Sequence, residues 1–117
     1  MANKYGAKQV VTPEGVFDSR KEHRRWCELK LLERAGKIRD LRRQVKYVLI
    51  PSQYEGQYKK CLERECSYIA DFVYVDVESG KEVVEDVKGY KRGAAYQLFS
   101  VKRKLMLFKF GIRVMEV

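Results

Sequence analysis

The chain has 117 residues, 45% hydrophobic and 35% charged, with a net charge of +9 and a pI near 9.5. That length suits one domain with one core and leaves little for a second, and the composition is that of a globular protein rather than a disordered one. No apolar run approaches the roughly 18 residues that cross a bilayer, and "MANKYGAKQVV" lacks the apolar segment of a secretory leader, so no membrane is expected and the expected location is cytoplasmic.

Residues 1–16 read as a polar lead-in, poorly ordered or strand-like, ending in the turn "TPEG". A helix is expected over about 18–35, with Asp18 or Ser19 as its N-cap, Phe17 stapled onto its first turn and Gly36 as its stop. Glu22, Trp26, Leu29 and Glu33 share one face of it at helical spacing. Trp26 and Leu29 make that the core face, which leaves Glu22 either at a solvated rim or aimed at something. Val45–Ile50 reads as a strand ended by Pro51, and residues 52–66 as an irregular excursion. "CSYIADFVYVDV" is a strong strand, "ESGK" a hairpin turn and "EVVEDVKGY" the returning strand. A second helix follows in "AAYQLFSVKRKLMLFKF", stopped by Gly111, and "IRVMEV" closes the chain as a short strand. The order is α-β-β-β-α-β, an α/β or α+β domain with a mixed central sheet flanked by helices.

Charge is unevenly spread along this order. Residues 20–43 hold ten Lys/Arg against four acids, and residues 88–109 hold seven Lys/Arg and none. The stretch between, 71–86, holds six acids and one lysine. A basic surface suits a polyanion such as nucleic acid, but acids on the contact surface would repel phosphate. Acids at the centre with bases around them fit an enzyme that holds a metal on a nucleic acid backbone. The three cysteines and single histidine, His23, are spaced wrongly for a zinc site, and free thiols are expected.

The acids have an expected geometry. Side chains alternate along a strand, so Asp86 and Lys88 point one way and Glu85 the other, towards a pairing with an Arg or Lys of a packing helix. With "ESGK" as the turn, Asp71 on the partner strand lies at the same open end as Asp86 and Lys88. Two carboxylates at close range repel unless a cation joins them. The fitting guest is Mg²⁺ or Mn²⁺, with water and substrate phosphate completing its shell.

The stretches "FDSRKEHRRW", "YIADF" and "VVEDVKGYK" together resemble the PD-(D/E)xK nuclease superfamily. "NKYGAK", "ELKLLERAGKI" and the closing "GI" strand look like a small phage-encoded branch related to Holliday-junction resolvases. The resemblance covers nearly the whole chain, with two departures: Ala70 stands where the pattern has proline, and Asp86 where glutamate is commoner. It implies a restriction-endonuclease-like core and metal-dependent hydrolysis of DNA phosphodiester bonds, on branched DNA. A C2 homodimer would suit two symmetric cuts, and no small-molecule cofactor is implied. By the same resemblance Asp71 and Asp86 ligate the metal with the Val87 carbonyl, Glu22 holds a second metal or a water, and Lys88 stands by the scissile phosphate. Arg20, Arg24, Arg25, Tyr90, Lys91, Arg92, Lys102, Arg103 and Lys104 are candidates for DNA contact, each equally readable as part of a solvated turn or helix face. Alternatives are a nicking or restriction-like nuclease on duplex DNA, or a DNA-binding module without catalysis.

Overall fold

The computed structural model describes residues 8–57, 59–89 and 91–117. Eight strands and two helices are formed: β1 (Val10–Thr12), β2 (Gly15–Phe17), α1 (Arg20–Arg34), β3 (Ile38–Ile50), β4 (Gln53–Glu55), β5 (Lys60–Glu63), β6 (Cys66–Asp76), β7 (Glu82–Asp86), α2 (Gly93–Phe110) and β8 (Met115–Glu116). The central sheet has the order β3-β6-β7-β8. Its first three strands are antiparallel neighbours and β8 runs parallel to β7. The fold is therefore α+β with a mixed central sheet, and its core elements follow the expected α-β-β-β-α-β order.

The two helices cover opposite faces, as strand alternation requires. Phe72 and Tyr74 of β6 pack with Trp26 and Leu29 of α1, while Val73 and Val84 pack with Phe99 and Met106 of α2. The Ser19 hydroxyl accepts the Glu22 N–H at 3.1 Å and caps α1. Gly111, at φ +68°, ends α2 in the left-handed conformation that glycine adopts without penalty.

Residues 10–17 of the lead-in form a β1–β2 hairpin, the strand-like alternative. Two expectations are corrected. Residues 53–63 of the excursion form a β4–β5 hairpin, which is short and exposed and so lacks the apolar alternation that marks a buried strand. The second correction is the length of β3, which starts at Ile38 rather than Val45. It lies at the sheet edge, where water solvates Arg39, Arg42 and other charged side chains. A bulge between Arg39 and Arg42, with Asp40 at φ +56°, interrupts the period-2 signal.

Candidate active site

Four elements bring the acids together. β6 and β7 pair Phe72 with Glu85, so the next step of the ladder sets Asp71 opposite Asp86. The alternation of β6 slips at this point. Tyr68 and Ala70 belong to the α2-side core, whereas Phe72 and Tyr74 belong to the α1-side core. Asp71 thus stands where the chain changes face, and its β3 neighbour Gln44 is held at φ +52°. From that strand the Gln44 amide reaches both Glu22 Oε1 at 3.4 Å and Asp71 Oδ1 at 3.5 Å. Glu22 is therefore no solvated rim residue. It is 3% exposed, one turn before Trp26 on the buried face of α1.

Each acid has a defined set of partners. Glu22 Oε2 accepts the Asp18 N–H at 2.9 Å, and Arg43 lies 4.0 Å from Oε1. Burial nonetheless raises the Glu22 pKa, and the Asp18 and Asp86 charges add to the rise. Asp71 Oδ2 accepts the Val87 N–H at 2.8 Å. The Asp71 pKa is pushed from 3.8 to about 8, first by burial and then by the Asp86 carboxyl beside it. Both causes favour the protonated form of Asp71. Asp86 is 5% exposed and pairs with Lys88 at 2.9 Å, and the Lys88 ammonium also sits 3.8 Å from the centre of the Phe99 ring. The backbone at this end is pinned on both sides. Lys88 N–H donates to Val117 and Val117 N–H to Asp86, while Lys21 Nζ donates to the Lys88 carbonyl at 2.6 Å.

An open cleft of about 350 Å³ gives access to this group. Tyr68, Asp86, Lys88, Phe99 and Lys102 line it. A larger hollow of about 830 Å³ lies on the β8 side, lined by Lys91, Arg103, Lys104, Arg113 and Glu116. Its one acid, Glu116, is already bound by Tyr96 at 2.7 Å and Arg103 at 3.1 Å. Of the three acids only Asp86 lines the smaller cleft, beside Lys88 and Lys102, whereas cations dominate the charged lining of the larger hollow.

The expected site residues divide accordingly. Glu22, Asp71, Asp86 and Lys88 meet, and Val87 joins them through its N–H. Arg20, Arg24, Lys91, Arg92 and Lys104 are exposed, and Lys102 is half-buried beside the cleft. Two expected contact residues are corrected. Arg25 turns inward and donates to Glu85 through Nε at 2.8 Å and Nη2 at 2.7 Å, with a further pair to Glu28. Arg103 is tied to Glu116. Neither is a free surface cation. Tyr90 lies outside the described residues. Glu85, 1% exposed, faces α1 and also accepts from the Tyr74 hydroxyl, so it is the structural acid of the pair. Sequence reasoning missed Gln44 and Tyr68. A lone glutamine in a charged stretch carries no signal, and a strand tyrosine reads as core.

A hard cation suits this donor set. Mg²⁺ takes one or two carboxylates and keeps several waters, and Asp71 and Asp86 are the two that stand together here. Among the described residues, no group of three or more His, Cys, Asp or Glu is placed to hold a metal ion by itself.

A family model described as "Protein of unknown function (DUF1064)" matches residues 2–115. The chain belongs to that family. No curated protein and no solved structure matches it. Among the described residues, no helix of this DUF1064 protein is long and apolar enough to cross a membrane.

Proposed function

We propose that this protein is a divalent-metal-dependent endodeoxyribonuclease with a restriction-endonuclease-like core, acting on branched DNA. One observation carries the reading: Glu22, Asp71 and Asp86, from α1, β6 and β7, converge beside Lys88 at one end of a rigid sheet. Buried carboxylates that repel one another cost stability, and a cation would offset that cost.

Asp71 and Asp86 would hold the metal with the Val87 carbonyl, and Glu22 would hold a water or a second ion. The cation would supply charge neutralisation at the phosphate and acidify water for attack. The residues of the chain do the rest. The Val87 N–H keeps Asp71 in place, and the Gln44 amide ties it to Glu22. With a cation on Asp86, Lys88 would be free of that carboxylate, and its ammonium would stand at the scissile phosphate, where negative charge grows. Arg20, Arg24, Lys102 and Lys104 hold the backbone on either side. Junction cutting needs two matched incisions, so the working unit is a C2 homodimer.

A DNA-binding module without catalysis is the competing reading, favoured by the Lys88–Asp86 ion pair, which neutralises the central acid. Incubation with a four-way junction and its matching linear duplex, in Mg²⁺, Mn²⁺ or EDTA, separates the two. Symmetric metal-dependent cuts in the junction alone are expected, abolished in Asp86→Ala and in Lys88→Ala, which still fold and bind DNA. Cutting of both substrates would keep the nuclease and remove the junction preference. Tight binding without cutting would favour the module.

A further inference from the structure

The Tyr68 hydroxyl is unmatched. Tyr68 is 4% exposed, and its oxygen is buried with no hydrogen-bond partner among the described residues. Nearly all buried hydroxyls are paired, and an unpaired one forfeits the bonds it made to water. Phenylalanine would fill the same space without that loss. The ring itself is well held: it packs against Phe99 at 6.1 Å between centroids and sits in the α2-side core. Tyr68 also lines the cleft that Asp86 and Lys88 line.

The Asp86 carboxylate stands close to this hydroxyl: after burial, its charge is the next cause that raises the Tyr68 pKa. Asp86 Oδ2 is engaged by Lys88 at 2.9 Å, and the same lysine is held over the Phe99 ring that supports Tyr68. The arrangement has two alternatives for one carboxylate. Paired with Lys88, Asp86 leaves the tyrosine without a partner. Released from Lys88 by a stronger cation, it is free to take the hydroxyl as its second bond. Carboxylates that bind metals are characteristically oriented by such an outer hydrogen bond, and losing it weakens metal affinity about 10–100-fold.

We propose that Tyr68 is a positioning residue whose hydroxyl donates to Asp86 when that carboxylate takes a divalent cation, and so sets its orientation. This rests on the metal-dependent reading above and deepens it. The unmatched hydroxyl is a cost of the metal-free protein that the metal-bound one recovers.

The test uses the full chain as wild type, Tyr68→Phe and Asp86→Asn. Thermal melting is measured in EDTA, Mn²⁺ affinity by calorimetry, and duplex DNA affinity in EDTA by fluorescence anisotropy. For Tyr68→Phe the expected result is an unchanged or higher Tm, unchanged DNA affinity in EDTA and Mn²⁺ affinity weaker by about tenfold or more. Unchanged Mn²⁺ affinity would overturn the proposal. So would a lower Tm accompanied by weaker DNA binding, which would make the hydroxyl structural. Asp86→Asn reports on the underlying reading. If it binds Mn²⁺ as wild type does, or if wild type binds none, the metal site itself fails, an outcome distinct from the failure of Tyr68→Phe alone.

Discussion

At the scale of residues, the adjacent acids Glu85 and Asp86 have opposite tasks because a strand turns them to opposite faces. Glu85 is buried against α1, where Arg25 and Tyr74 satisfy it. Removing one partner of a buried pair leaves an uncompensated charge, so Arg25→Ala should cost about 3–5 kcal/mol in urea unfolding, whereas replacing both partners with apolar residues should recover much of that. Asp71 behaves differently. Its native pKa, about 8, stands above its ordinary 3.8, so between those values the folded chain holds a proton that the unfolded chain has lost. Its contribution to stability is therefore complete below about pH 4 and is lost as pH rises towards about 8. The metal-free protein should show a falling Tm across that window. Asp71→Asn should flatten the fall, and Mg²⁺ should counter it at the upper end. A Tm in wild type that tracks pH no differently from Asp71→Asn would contradict the raised Asp71 pKa.

At the scale of elements, position in the sheet decides what each strand tolerates. β6 is central and apolar, and β7 carries three acids because Glu82 is exposed, Glu85 is paired with Arg25 and Tyr74, and Asp86 stands at the open end beside Lys88. β3, at the edge, accepts arginines along its outer side. Arg43 from β3 reaches across to β2, where its guanidinium lies 3.7 Å above the Phe17 ring and donates to the Val16 carbonyl at 2.8 Å. Gly15, at φ +132°, makes room for it, since a Cβ there would stand 2.8 Å from that guanidinium. The β1–β2 hairpin is thereby anchored to the site end of the sheet. The β4–β5 hairpin has no such anchor: every described residue from 53 to 63 is exposed. Replacing it with a turn of about four residues between β3 and β6 should keep Tm within about 5 °C of wild type, as judged by thermal melts. A collapse of the fold would mean that the hairpin directs the β3–β6 pairing.

At the scale of the whole molecule, the +9 charge is organised around the acids. Arg20 and Arg24 on α1 and Lys102 and Lys104 on α2 lie on opposite sides of the sheet, with the acid group at its end between them. If DNA lies across that end, binding releases counterions, and log affinity falls linearly with log salt. Lys102→Ala and Lys104→Ala should each lower that slope by about one, measured by anisotropy over a salt series. Arg103→Ala should lower it far less, because Glu116 already neutralises Arg103. Equal slopes for all three would place Arg103 on the DNA and its bond to Glu116 aside.

The sequence by itself determined the order of the core elements, the two helices with their ends at Ser19 and Gly111, and the opposed faces of Glu85 and Asp86. These follow from periodicity, capping and alternation, which are local properties of the chain. It also singled out Glu22, Asp71, Asp86 and Lys88 as candidates. Only the tertiary structure decided which charged groups consume one another. Arg25 and Arg103 look like free cations in sequence and are spent on Glu85 and Glu116, 60 and 13 residues away. It likewise decided that Gln44 bridges Glu22 to Asp71 and that the Tyr68 hydroxyl is left unmatched. Such pairings depend on distances between segments far apart in the chain, and no local pattern encodes them.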